Sequence, residues 1–207
     1  MKTLALELST ARGNLAWLDG EIEFQREWPN DRKNSAAFFE NLQAVRTKFG
    51  APETIVVGVG PGSYAGTRIA ISAAIGIQLS CDARLIGYPS ICAIKCEAQE
   101  YCVIGDARRK SFFFARILKN EVIEGPTLFS ALELKARLES VEPATPVFSS
   151  ELLSQFQRSL ISFPSALILA RLAKESGRSF CLPPLEPIYL REPHITIRNE
   201  RNLPLLG

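Results

Sequence analysis

The chain has 207 residues, 46% of them apolar and 22% charged, with a formal net charge of +2. That length buries a proper core as one large domain or two small ones, and so small a net charge neither demands nor excludes a nucleic-acid partner. No apolar run reaches the length of a membrane span, and Glu7 interrupts the opening MKTLALELSTARGNLAWL with no small-residue cleavage site after it, which argues against a secretory leader.

The five cysteines, Cys81, Cys92, Cys96, Cys102 and Cys181, contain no CxxC pair. Reduced thiols in the cytoplasm are therefore expected. The spacing Cys92-x3-Cys96-x5-Cys102 does not suit a metal, and His194, the single histidine, cannot form a ligand pair.

In chain order, Thr3–Leu8 reads as a strand, Ser9–Gly13 as a turn and Asn14–Leu18 as a second strand. Asp19-Gly20 signals a hairpin into a third strand, Ile22–Trp28. Ser35 can cap a helix to Phe49, with Phe38, Leu42, Val45 and Phe49 on one face, and Gly50 and Pro52 stop it. Thr54–Gly58 is a short apolar strand, followed by a glycine-rich loop. The next helix, Thr67–Leu79, is apolar on nearly every face and is expected to be buried on several sides. Arg84–Tyr88 is another strand.

From Tyr101 the pattern restarts: strand Tyr101–Gly105, turn Asp106–Lys110, strand Ser111–Leu118. A helix over Ala131–Leu138, a short strand near Val147 and a helix over Ser165–Glu175 follow, then a tail, Pro183–Gly207, rich in proline and arginine. One clear and one abbreviated copy of the same order predict two related α/β halves, residues 1–97 and 98–207, the second a shorter C-terminal α/β half that carries the proline- and arginine-rich tail.

The loop VVGVGPGSYAGTRIA, residues 56–70, packs four glycines and a proline into nine positions. It fails the P-loop test, because Gly66 is followed by Thr67 and Arg68 rather than lysine. Gly60, Gly62 and Ala65 meet only the loose dinucleotide pattern, with Pro61 between the glycines and no acid at the end of the next strand. Two readings stay open. The loop presents a helix N-terminus to an anion, with Ser63, Thr67 and Arg68 assisting. Or its glycines only let the backbone turn tightly against a neighbour.

Taken together, the motifs resemble the TsaB (YeaZ) family of tRNA threonylcarbamoyladenosine biosynthesis proteins, within the glycoprotease-like (peptidase M22-like) superfamily. GVGPGSYAGTRIA is similar to the family's GxGPGSFTGxRIG signature, LALELSTARGNLAWLDG to its opening, VIGDARRKSFFFARI to its I-D-A-R element and LEPIYLR to its E-P-x-Y-L-R close. The resemblance runs from about residue 3 to 191. It implies a duplicated actin-like ATPase fold (ASKHA, ribonuclease H-like) and a required, non-catalytic subunit that binds a TsaD-like catalytic subunit. It also implies a TsaE-like ATPase in the same complex, a homodimer when alone, tRNA reached only through the complex, and no cofactor or metal. The alternative class is a catalytic actin-like enzyme, an ATP-dependent small-molecule kinase or a TsaD-like transferase. This sequence departs from the family at Glu7 (usually aspartate), Asn34 (usually histidine), Tyr64-Ala65 (usually Phe-Thr) and Ala70 (usually glycine).

On this reading no residue is catalytic. The signature loop, Gly60, Gly62, Ser63, Gly66, Thr67 and Arg68, is the candidate anion site. Glu7 and Asp106 are equivalent, vestigial acids of the two halves; facing one cleft they could hold magnesium, but capping their own turns is the commoner role for such residues. Arg108, Arg109 and Lys110 could touch tRNA phosphates, yet three charges in a turn are more often simply solvated. The expected partner surface combines Phe38, Phe39 and Leu42 of the first helix with Ile69, Ala70, Ala73, Ala74 and Ile77 of the second, whose small residues permit close helix approach.

Overall fold

In the computed structural model, residues 1–30 and 35–191 are described; Asn34, His194 and the tail beyond residue 191 lie outside them. The chain opens with β1 (Thr3–Glu7), β2 (Arg12–Asp19) and β3 (Ile22–Pro29). Helix α1 (Ala36–Phe49), β4 (Thr54–Gly58), α2 (Tyr64–Cys81) and β5 (Arg84–Tyr88) follow. They form a sheet of order β3-β2-β1-β4-β5, antiparallel through β1 and parallel from β1 to β5. Buried on both faces, β1, β4 and β5 are nearly all apolar, whereas the edge strand β3 carries Glu23, Gln25 and Glu27.

A 3-10 turn, Ser90–Ala93, leads to the second half: β6 (Glu100–Asp106), β7 (Ser111–Leu118), β8 (Glu121–Ser130), α3 (Ala131–Glu139), β9 (Val147–Ser149), β10 (Ser159–Ile161) and α4 (Ala166–Leu172). Its sheet reads β8-β7-β6-β9-β10, again antiparallel through β6 and parallel beyond. The second sheet therefore repeats the first strand for strand. This is the duplicated α/β architecture of the actin-like fold. The second copy lacks the helix that α2 supplies between β4 and β5.

The period-2 alternation of the strands builds the layers. In β1, Leu4 and Leu6 meet α1 and α2, while Ala5 faces the space between the sheets. In β6, Cys102 and Ile104 meet the α3 side and Tyr101 and Val103 point inward. The 3-10 turn and α4 fill the middle layer through Ile91, Cys92, Leu169 and Leu172. Asn14 ties this layer to the first sheet: its Nδ2 donates to Pro164 O at 3.0 Å and its Oδ1 accepts from Ala166 N.

The division at residue 97 separates the two sheets but not the packing. Helix α4 lies on β1, β2, β3 and β4. Gly87 and Cys181 exchange backbone hydrogen bonds of 2.9 and 3.0 Å, and Ile188 N donates to Val59 O at 2.8 Å.

Strands β8 and β10 and helix α2 differ from expectation. Strand β8 is absent from the sequence reading because Gly125 and Pro126 interrupt it; Gly125 has φ 78° and the β7–β8 register shifts near Arg116. Helix α2 begins three residues early, at Tyr64, because Ser63 caps it by accepting from Gly66 N at 3.3 Å. Nor is α2 buried on several sides: Arg68, Ser72, Gly76 and Leu79 are exposed.

Candidate functional site

A cavity of about 470 Å³ opens between the halves at the C-terminal ends of the central strands. Its walls come from equivalent places in the two copies. The β1–β2 turn contributes Ser9 and Thr10, and the β6–β7 turn contributes Asp106 and Arg108. The signature loop contributes Pro61 to Ala65, and the segment after β9 contributes Ser150 and Glu151. The returning segment, Pro187 to Arg191, closes the mouth.

The signature loop packs hard on the first turn. Ser63 N donates to Ser9 O at 2.6 Å, and a Cβ at Gly62 would lie 2.2 Å from that same oxygen. A Cβ at Gly66 would lie 2.1 Å from Leu8 O. The glycines are thus required for close backbone approach, and Gly60 also holds φ 91°. The loop aims the N-terminus of α2 at the cavity, so the two readings of this loop describe one geometry. Arg68 is not part of it. Its guanidinium donates to Tyr64 Oη at 2.9 Å and lines an outer groove instead, since a residue four positions into a helix lies one turn away from its N-terminus.

The two acids end equivalent strands but occupy unlike surroundings. Asp106 stands in the cavity wall, where Oδ1 accepts from Arg108 N at 2.7 Å and Oδ2 pairs with Arg108 Nη1 at 3.2 Å. Glu7 is fully buried away from the cavity. Its Oε1 accepts from Ser9 N at 2.6 Å, capping its own turn, and the Ser9 and Ser90 hydroxyls stand beside the carboxyl. Burial pushes the Glu7 carboxyl above the ordinary range, only partly opposed by Ser9 and Ser90. The pair of acids facing one cleft, considered for magnesium, is therefore corrected to one acid in the wall and one in the core. Among the described residues no three His, Cys, Asp or Glu side chains gather as metal ligands. Burial pushes the thiols of Cys92 to about 12 and Cys102 to about 11, so both act as inert core residues.

The second surface of interest lies on the outer side of α1 and α2. Phe39 is 50% exposed, Leu79 82% and Ile75 40%, with Tyr64 at one end. Ser72 and half-buried Ile69 and Ala73 floor a groove between Phe39 and Tyr64. The expected partner surface needs correction in its members. Phe38, Leu42, Ala70, Ala74 and Ile77 are buried against the first sheet, because they occupy the inner stripe of each helix that a two-layer α/β half must bury. Of the eight residues named from sequence, Phe39, Ile69 and Ala73 remain at the surface. Ile75 and Leu79 were missed there; their signal was apolar residues in excess of one buried stripe.

Sequence reasoning also missed Ser90, whose Oγ accepts from Gly60 N at 2.9 Å beneath the signature loop. It missed Tyr189, whose ring lies 5.4 Å from that of Tyr64 at the cavity mouth.

The family model described as TsaD, tRNA N6-adenosine threonylcarbamoyltransferase, matches residues 35–185. That is well over half of the chain, and the chain belongs to this family. Its fold is shared by the crystal structure of an uncharacterized protein with similarity to peptidase YeaZ from Pseudomonas aeruginosa. The two are 19% identical with a TM-score of 0.73, over 92% of this chain and 99% of that one. YeaZ from Pseudomonas aeruginosa is 16% identical with a TM-score of 0.66, over 84% of this chain and 91% of that one. No curated protein sequence matches the chain. No helix among the described residues is long and apolar enough to cross a membrane.

Proposed function

We propose that the protein is a TsaB-type, non-catalytic subunit in the threonylcarbamoyladenosine modification of tRNA. It acts by binding and positioning a TsaD-type catalytic subunit, with a TsaE-like ATPase in the same complex. The observation that carries this reading is the exposed apolar surface of α1 and α2, where Phe39 and Tyr64 line a groove with half-buried Ile69 and Ala73, and Ile75 and Leu79 are exposed further along α2. Exposed apolar surface of this kind marks an interaction site, and small side chains let a partner helix approach closely. In isolation the same face joins two copies of the chain in a symmetric homodimer, and the catalytic subunit displaces one of them. Transfer RNA is reached only through the assembled complex. Membership of a tRNA-modifying family supports the pathway.

A catalytic role in this protein is disfavoured by its chemistry. One histidine in the whole chain cannot supply a histidine pair for a metal, and the first-strand acid is buried away from the cavity, which pushes its carboxyl above the ordinary range. The protein therefore works as a cytoplasmic binding subunit.

The test is co-purification of the chain with a tagged TsaD-type subunit from the same organism. A stable heteromer that forms at the expense of the homodimer is expected. Failure to associate, with both proteins folded, contradicts the proposal.

A further inference from the structure

We propose that Arg68 selects the occupant of the groove on α1 and α2. It admits a partner helix that carries a carboxylate on its apolar face and disfavours a second copy of this chain. The inference rests on the partner reading above and names what that partner must present.

The groove is built along one stripe of α2. Tyr64 and Ala65, Arg68 and Ile69, and Ser72 and Ala73 line it, and Phe39 of α1 forms the other wall. Residues spaced by four share one helix face. The stripe runs for about 14 Å, a length that suits a single docked helix. Arg68 stands at its middle and is the one charged side chain that lines it.

This cation is held in place. Its Nη1 donates to Tyr64 Oη at 2.9 Å, and the guanidinium carbon lies 5.1 Å from the centre of the Tyr64 ring. Among the described residues no acid pairs with it. A guanidinium has several N–H donors, and the Tyr64 hydroxyl takes one; water serves the rest while the groove is open. A partner that covers the groove removes that water, and a cation left unpaired in a dry contact is costly. A carboxylate accepts two of the N–H groups at once and removes that cost.

A second copy of the groove does not supply that carboxylate. A symmetric pairing uses the same patch on both chains. With Arg68 at the middle of the stripe and no acid lining it, a dimer centred on the groove brings two cations together. Like charges juxtaposed at an interface oppose association. The homodimer is therefore the weaker assembly, and a partner with an acid on its docking helix displaces one copy.

The experiment measures two affinities of the full chain: self-association by sedimentation equilibrium, and binding to the TsaD-type subunit by calorimetry. The proteins are the parent, Arg68→Gln and Tyr64→Phe. Arg68 is exposed, so melting temperature should hold. Arg68→Gln is expected to tighten self-association about fivefold by removing a like-charge contact. It is expected to weaken the heteromer about tenfold by removing hydrogen bonds between charged groups. Added salt should weaken the parent heteromer more than the Arg68→Gln heteromer. Tyr64→Phe keeps the ring, releases the guanidinium and should weaken the heteromer alone. Opposite movement of the two affinities in Arg68→Gln supports the proposal. A heteromer that forms but is indifferent to Arg68, or two affinities that move together, overturns this inference alone. A parent chain that binds no TsaD-type subunit overturns both this inference and the partner reading.

Discussion

Gly58 leaves the space that the Glu7 side chain fills: a Cβ at position 58 would lie 1.7 Å from Glu7 Oε2 and 2.6 Å from Ser90 Oγ. The two residues sit on adjacent parallel strands, so neither can move without shifting the sheet. Gly58→Ala should destabilise the protein by about 1–3 kcal/mol through overpacking. Combining it with Glu7→Ala should be less damaging than the sum of the two single changes by about 1 kcal/mol or more. Urea denaturation of the four proteins measures this, and additive losses would contradict the packing described.

The raised pKa of Glu7 gives stability a pH dependence of known sign. The folded state holds this proton more tightly than the unfolded chain, so the folded state binds more protons between the two pKa values. Stability from this group is present below the unfolded value, about 4.3, and is lost as pH rises through the folded value. Glu7→Gln removes the ionisation but keeps an oxygen for Ser9 N. The variant should therefore gain stability relative to the parent as pH rises from the unfolded value toward neutrality. Denaturation midpoints at a series of pH values check it, and a constant difference would show that Glu7 titrates normally.

Asn14 is buried and bonds both Pro164 O and Ala166 N, across a sequence gap of about 150 residues. Asn14→Ala leaves an N–H and a C=O without partners and should cost about 2–4 kcal/mol. Because these bonds seat α4 on the first sheet, hydrogen exchange should quicken first at Ala166 to Leu172. Protection unchanged in α4 would place the link elsewhere.

Much of the fold was legible in the sequence. The strands Thr54–Gly58, Arg84–Tyr88 and Ser111–Leu118 have clean boundaries, because glycine, proline or polar turns flank short apolar runs. The second half was harder to read. Gly125-Pro126 breaks the pattern of β8, and β10 has three residues at a sheet edge, too few for an alternation to show. In the site, the glycine loop announced its tight packing, but the fate of Glu7 did not show. A glutamate ending an apolar strand looks the same whether it faces a cleft or folds back over a glycine on the neighbouring strand. The inner and outer stripes of α2 were likewise inseparable by periodicity, since isoleucine and alanine occur on both.

That distinction yields a paired prediction. Phe39→Asp and Leu79→Asp alter exposed residues and should leave stability within about 0.5 kcal/mol, while weakening self-association. Phe38→Asp and Ala74→Arg bury an unpaired charge in the first-half core and should unfold or severely destabilise the chain, by about 3–5 kcal/mol. Sedimentation and thermal melting on the four variants separate the two classes. Loss of the dimer only in unfolded variants would remove the outer face from consideration.

The central claim is that this chain contributes a partner surface rather than chemistry. Its most direct test is reconstituted threonylcarbamoyl transfer to tRNA from purified components of the same organism, with the TsaD-type subunit and a TsaE-like ATPase present. The account predicts no transfer by this chain without the TsaD-type subunit, strong transfer when both are present, and a defect in the folded Phe39→Asp variant that parallels its lost binding. Transfer by this chain without the TsaD-type subunit, or full activity of the complete mixture when this chain is omitted, would contradict it.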